Sequence, residues 1–309
     1  MNLEKGIKLS LMTAMFSGMA VFFNSLVVKA VGDPLVFTTL KNLGVAVVLG
    51  VILGRRSLKK EINWRELRRS DWLKLVVIGV IGGSLPFYLF FKGLMLASSV
   101  QAALIHKSLV LWVGLWAVPM LKEKVTVKQL GALGLIMGSN LVMGGWGKWS
   151  WGVGETMILG ATILWAVENV VAKLVLRRVE ADVVIGARMI LGSGLLLGAT
   201  VLSGKMGLVK GLSLGQWGLT IVTVGLLTGY VMSWYRALKY APVTLVATVL
   251  GLGAVVTNVL SGIFITRSLP IELVYQGILL VGGSWFFGVE VRRLNAGNAE
   301  MRALRLGTK

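Results

Sequence analysis

Residues 161–176 read ATILWAVENVVAKLVL. They belong to an apolar run near 152–175 that carries one acid, Glu168, and one amide, Asn169, in its interior. A helix rises ~1.5 Å per residue, so roughly 20 apolar residues span the ~30 Å hydrocarbon core of a bilayer. Outward from this run the same length recurs along the chain. Apolar segments fall near 7–28, 34–54, 72–91, 98–120, 126–145, 152–175, 182–203, 214–236, 242–264 and 272–290. Soluble domains do not repeat such lengths, so the expected fold is an all-α integral membrane protein of ten transmembrane helices. The links are short, apart from the basic stretch 55–71 and the glycine-containing stretch 203–216.

Composition agrees. Of 309 residues 56% are hydrophobic and 15% charged, where soluble proteins carry about 25% charged residues; mean hydropathy is +0.81. There is no cysteine and one histidine, which excludes disulfides, thiolate metal sites and thiol catalysis and leaves no basis for a metal centre or other cofactor. No serine–histidine–aspartate set or carboxylate pair stands out, and there is no Walker lysine motif, so neither an enzyme nor an ATP-driven pump is expected. A net charge of +19 would suggest nucleic acid in a soluble protein. Here the lysines and arginines flank apolar spans, so the partner they imply is the anionic surface of the bilayer, not nucleic acid. The N-terminus is basic and then apolar, but the apolar part is too long for a signal peptide, which predicts an uncleaved first span.

The links differ in charge by side. Lys5, Lys8, the cluster in 55–74, Lys122, Lys124, Lys128, Lys173, Arg177, Arg178, Arg236, Lys239 and the basic tail 291–309 fall on one side. Lys29, Lys92, Lys148, Lys205, Lys210 and Arg267 fall on the other. The richer side is expected to face the cytoplasm, with both termini inside a cytoplasmic membrane. Trp146, Trp149 and Trp151 cluster at one outer link, as interfacial anchors do.

Residues 90–100, FFKGLMLASSV, align with 234–244, WYRALKYAPVT. The same register sets Asn24-Ser25 on Glu168-Asn169 and Lys29 on Lys173; a slightly larger shift sets Lys41 on Arg188. The chain therefore divides into a first five-helix repeat, 1–145, and a second, 146–290. An odd number of spans per repeat makes the second insert upside down, a plan of secondary transporters with the site near mid-membrane between the repeats.

With these residues the chain resembles the EamA-type drug/metabolite transporters over residues 7–290. Their pattern of aromatic, small, any residue, Asn and a distal basic residue is matched by Trp165-Ala166…Asn169…Lys173, and more faintly by Phe22-Phe23-Asn24…Lys29. Their acidic turn before a glycine-containing span is matched by Lys122-Glu123-Lys124 and then Gly131 and Gly138, whereas the second repeat has Arg267 where Glu123 would map. The resemblance implies a secondary active transporter that moves a small polar metabolite, an amino acid or similar compound first, in the direction of export. An exchanger of phosphorylated or other organic anions is the alternative, and a non-transporting scaffold or intramembrane enzyme the third reading.

Ionisable groups inside a bilayer cost at least ~2.5–3.5 kcal/mol each, so they mark function by default. Four qualify: Lys41, Lys107, Glu168 and Arg188. Glu168 is a proton-coupling or ammonium-binding group, or else the partner of Arg188 or Lys41 in a structural ion pair; protons are the candidate coupling ion. Lys107 is an anion-binding group or a snorkelling residue. Its neighbour His106 points about 100° away on a helix, so both cannot face one cavity centrally. Asn24 and Asn169 are hydrogen-bonding groups between helices or line the cavity. Lys41 and Arg188 serve structure, gating or substrate. Gly83 and Pro86, within the segment Gly82-Gly83-Ser84-Leu85-Pro86, predict a kink. With Tyr88, Phe90 and Phe91 after it, and Trp165, Trp234 and Tyr235 opposite, that segment is a candidate gate or a rigid bend. Four Gly-x-x-x-Gly pairs, at 79/83, 134/138, 194/198 and 225/229, allow close helix approach.

Overall fold

A computed structural model describes residues 2–97, 99–144 and 151–307. Within them the chain is helical, with no strand. The first helices follow from their end residues. α1 (Leu3–Val31) starts at Asn2, whose side chain accepts from the Lys5 amide, and stops at Gly32, whose φ of +79° suits a residue without Cβ. Asp33 then caps α2 (Pro34–Leu58) by accepting from the amides of Leu35 and Val36, with Pro34 preset for the first turn. Next come α3 (Arg69–Gly83), α4 (Leu85–Leu96), α5 (Ser99–Lys107), α6 (Leu109–Leu121) and α7 (Val127–Gly144). The second half holds α8 (Val153–Val175), α9 (Ala181–Leu202), the short α10 (Met206–Lys210), α11 (Leu214–Tyr240), α12 (Val243–Leu250), α13 (Gly253–Ser261) and α14 (Ile271–Gly307).

Among the described residues eight segments are long and apolar enough to cross a membrane: Leu3–Val31, Pro34–Leu58, Arg69–Leu96, Val153–Val175, Ala181–Leu202, Leu214–Tyr240, Val243–Thr266 and Ile271–Leu294. Ile105–Leu121 is a shorter apolar helix. Three expected spans are broken. Ser84 interrupts the third, two residues before Pro86. Ser108 separates α5 from α6 in the fourth, and Gly251-Leu252 separates α12 from α13 in the ninth. The last two breaks occupy matching places in the two repeats, directly after Lys107 and Leu250. The last helix also runs further than the expected span, through to Gly307, because the polar tail holds no proline and is rich in helix formers. Of the expected tryptophan cluster, Trp151 is exposed just ahead of α8; Trp146 and Trp149, with Lys148, lie outside the described residues.

Helix packing has a two-fold pattern. α1 packs along α11, α12 and α13, and α8 packs along α3, α4, α5 and α6. α2 pairs with α9, and α7 with α14. α3 contacts α9 as α11 contacts α2. Exchanging each helix for its repeat mate leaves this set of pairs unchanged. The core lies where α2 and α9 meet α4, α8 and α11.

Candidate functional site

Pro86 organises the centre. It has no amide hydrogen, so the carbonyl of Gly82, four residues earlier, loses its helical partner. That carbonyl instead accepts from Nη2 of Arg188 at 3.1 Å and from Nε1 of Trp165 at 3.2 Å. The next carbonyl, of Gly83, accepts from Nδ2 of Asn42 at 3.0 Å. One kink thus collects side chains from α2, α8 and α9. Gly82 is there because a Cβ would sit 2.5 Å from Cγ of Glu168.

Around this junction Glu168, Arg188, Lys41 and Tyr235 are all at most 3% exposed. Oε1 of Glu168 accepts from the Tyr235 hydroxyl, while Oε2 is buried with no hydrogen-bond partner among the described residues. Nε of Arg188 is in the same position, and its guanidinium lies 5.5 Å from the ring centres of both Phe87 and Tyr235. Nζ of Lys41 sits over three rings, 4.0 Å from Phe91, 5.0 Å from Phe37 and 5.1 Å from Phe87. Such contacts recompense part of the ammonium's desolvation but fill none of its three donor positions. No ion pair within 4 Å joins Glu168 to Arg188 or Lys41 among the described residues.

The aromatic wall continues from this cage. Phe87 and Phe90 both meet Trp165, with centroids 5.2 and 5.5 Å apart. His106 joins them, 5.0 Å from Phe90 and 5.3 Å from Trp165, with Nδ1 buried and without a hydrogen-bond partner among the described residues. Of the adjacent pair it is therefore His106 that turns to this cluster. Lys107 is the last residue of α5, buried at the helix break, where the C-terminal dipole suits a cation. The structure pairs it with no side chain among the described residues.

The remaining candidates lie further out. Oδ1 of Asn169 accepts from Nε1 of Trp234 at 2.9 Å, tying α8 to α11, and Tyr230 stacks on that indole. Asn24 is half-buried on α1, with Oδ1 lacking a hydrogen-bond partner among the described residues. Tyr88 is half-buried on α4 beside Lys92, whose Nζ is 5.6 Å from its ring, apart from the central cluster. Gly83 packs backbone to backbone on α9: a Cβ there would lie 2.0 Å from the Arg188 carbonyl oxygen. Glu123 caps α12 from the other repeat, accepting from the amides of Val243 and Thr244 and from the Thr244 hydroxyl. Arg267, its repeat counterpart, is exposed and left-handed.

Three contributors escaped the sequence reading. Asn42, Phe37 and Phe87 look like ordinary span residues. The available signal was their spacing: Phe37 stands one turn before Lys41, and Phe87 one turn before Phe91, so each pair shares a helix face. The assembled groups combine buried cations, one carboxylate with a bare oxygen, and aromatic faces. That set can recognise a negative group, a positive group and a flat or apolar body together.

The chain matches the model of the EamA-like transporter family over residues 4–145 and again over 152–289. No curated protein matches it. Among solved structures, one described only as "Crystal structure of protein" has a TM-score of 0.70 at 18% identity, covering 91% of this chain and 98% of that one; it is similar in fold. Two matched stretches that together take in almost every residue, on an all-helical frame with apolar spans, place the chain in the EamA-like transporter family, a family of multi-pass membrane transporters.

Proposed function

We propose that this protein is a ten-span secondary transporter of the cytoplasmic membrane. It moves a small zwitterionic metabolite, an amino acid or similar compound, by alternating access, in the direction of export and coupled to protons. The observation that carries this reading is the closed central group. Lys41 and Arg188 face a negative group on the substrate, Oε2 of Glu168 faces an ammonium, and Phe87, Phe90, Phe91 and Trp165 supply the wall. The presence of two cations also supports a second reading, exchange of phosphorylated or other organic anions, in which Glu168 would repel the substrate.

Thermal shift on purified protein separates them. A ligand at a hundred times its Kd stabilises the folded state by about 2.7 kcal/mol. Panels of amino acids and of sugar phosphates are expected to give shifts with the amino acids only, and Lys41→Gln should abolish them. Shifts confined to sugar phosphates would select the exchanger. Lys107→Gln is the companion: parent-like shifts would assign Lys107 to the helix end alone, and lost shifts would bring it into the site.

Orientation has its own test, since the native chain lacks cysteine. Single cysteines at Lys59 and Asn298 should be shielded from an impermeant maleimide in intact cells, and one at the exposed Lys210 should react. Labelling at Asn298 in unbroken cells would reverse the proposed topology.

A further inference from the structure

α2 and α9 run antiparallel and carry the two central cations, Lys41 and Arg188. Both ends of this pair are fastened by charges. At one end Oδ2 of Asp33, the cap of α2, meets Nζ of Lys205, just past the end of α9, at 2.6 Å. At the other end Oδ2 of Asp182, in the first turn of α9, meets Nη1 of Arg56, in the last turn of α2, at 2.7 Å. The two pairs exchange under the same two-fold relation that governs the helix packing: each joins an aspartate opening one helix to a cation closing the other. Between them lie Lys41 and Arg188, and near the Asp33 end the Thr39 and Thr200 hydroxyls meet at 2.8 Å.

The ends are unequal. Among the described residues Asp33 has one basic partner, Lys205. Burial pushes its carboxyl up, but Lys205 and the amides of Val36 and Leu35 outweigh this and hold it below the usual range. Arg56 binds Asp182, Glu180 and Glu61 together, and Arg236 of α11 adds a second contact to Asp182 at 3.0 Å. At this same end Lys173 donates to the carbonyls of Leu238 and Ala241, and Glu123 binds the start of α12. Their repeat counterparts at the Asp33 end, Lys29 and Arg267, are exposed.

We infer that Asp33–Lys205 and the Arg56–Asp182–Arg236 cluster are the two opposing gates of this transporter, and that the Asp33 gate opens first. The inference rests on alternating access as proposed above. Partly exposed ion pairs contribute little to stability, since water competes for both charges. That makes Asp33–Lys205 a poor strut and a serviceable latch that can break thermally, whereas the network around Arg56 yields only to the differential affinity of a substrate for one state. Lys41, Glu168, Arg188 and Tyr235 are buried with both latches made. Releasing the single pair frees one end of the α2–α9 seam while the other stays tied through three helices.

The test needs no substrate. Reporter cysteines are placed on α2 at Thr39, in the Asp33 half, and at Leu49, in the Arg56 half; both positions are buried. Purified protein is labelled with a charged maleimide, so both ends meet the reagent. Lys205→Gln should speed labelling at Thr39→Cys by up to about fivefold, the scale of one partly exposed ion pair, and leave Leu49→Cys unchanged or slower. Asp182→Asn should do the reverse, and Lys205→Arg, which keeps the pair, should label as the parent. In the parent, Thr39→Cys should label faster than Leu49→Cys. Reporters that accelerate together in either variant would mean general loosening, and unchanged reporters would mean surface pairs of no consequence; each result overturns the gates. Ligand shifts are read separately, so a failure of the substrate assignment leaves opposite reporter responses intact.

Discussion

Gly83→Ala is expected to produce the largest loss of stability of any single methyl added to this protein. The new Cβ would lie 2.0 Å from the Arg188 carbonyl oxygen and 3.1 Å from Cα of Gly192, both backbone atoms that cannot rotate away. α3 and α9 would have to separate. Overpacking typically costs about 1–3 kcal/mol where side chains can adjust, and here they cannot, so the upper end or beyond is expected. Separation would also pull Arg188 from the Gly82 carbonyl and Asn42 from the Gly83 carbonyl. Ligand shifts should vanish together with the melting temperature. Gly192→Ala should behave alike, since its Cβ would meet Gly83 at 2.4 Å. Gly198→Ala is the control: nothing lies within 4 Å, and alanine is favoured over glycine in a helix by about 1 kcal/mol, so it should melt at or above the parent. Parent-like melting of Gly83→Ala would show that α3 and α9 do not touch there.

The same glycines show what the sequence could carry. Four Gly-x-x-x-Gly pairs looked equivalent in the chain. In the fold both members of 79/83 press on α9, against Leu191 and Arg188, whereas at 134/138 and 194/198 a Cβ would meet nothing within 4 Å among the described residues. Spacing states that an approach is allowed; only the partner's position makes it happen. Eight of the ten expected apolar spans recur as helices of crossing length among the described residues, because bilayer thickness fixes that length whatever their neighbours do. The break at Ser84 was legible because Pro86 cannot donate. Those after Lys107 and Leu250 carry no proline signal, and their helical segments are apolar on both sides. Charge was legible as a difference between sides but not as pairing: Arg56 and Asp182 are distant in sequence and meet only because α2 lies along α9.

The central site divides in the same way. Lys41, Glu168 and Arg188 stood out because a charge in an apolar span is costly enough to be noticed singly. What surrounds them did not. Asn42 neighbours Lys41 yet serves the kink in α3, and the cage around Lys41 is built of phenylalanines, the residues a membrane span is least remarkable for containing. Hydrophobic patterning marks such rings as core, and it takes the third dimension to show that Phe37 on α2 and Phe87 and Phe91 on α4 converge on one ammonium.

Glu168→Gln is expected to abolish transport driven by a pH gradient while leaving the fold intact. The two outcomes come apart because of how the carboxyl is held. Oε1 accepts from the Tyr235 hydroxyl, and an amide oxygen can accept the same bond. Breaking a direct buried ion pair would cost about 3–5 kcal/mol. Glu168 makes no such contact with Arg188 or Lys41, and Arg188 keeps its bond to the Gly82 carbonyl. The loss is therefore confined to charge and titration: Oε2, the oxygen with no hydrogen-bond partner among the described residues, is where a proton or a substrate ammonium would bind. In proteoliposomes the variant should drop to background under an imposed pH gradient, with amino acid–amino acid exchange retained if the proton is the lost element, or lost as well if the ammonium contact is. Tyr235→Phe keeps the carboxyl and should retain coupling. A variant that melts far below the parent would make Glu168 a structural counter-charge to Arg188. One that both melts and transports as the parent does would remove Glu168 from the mechanism, and with it the reason to prefer a zwitterion over an anion.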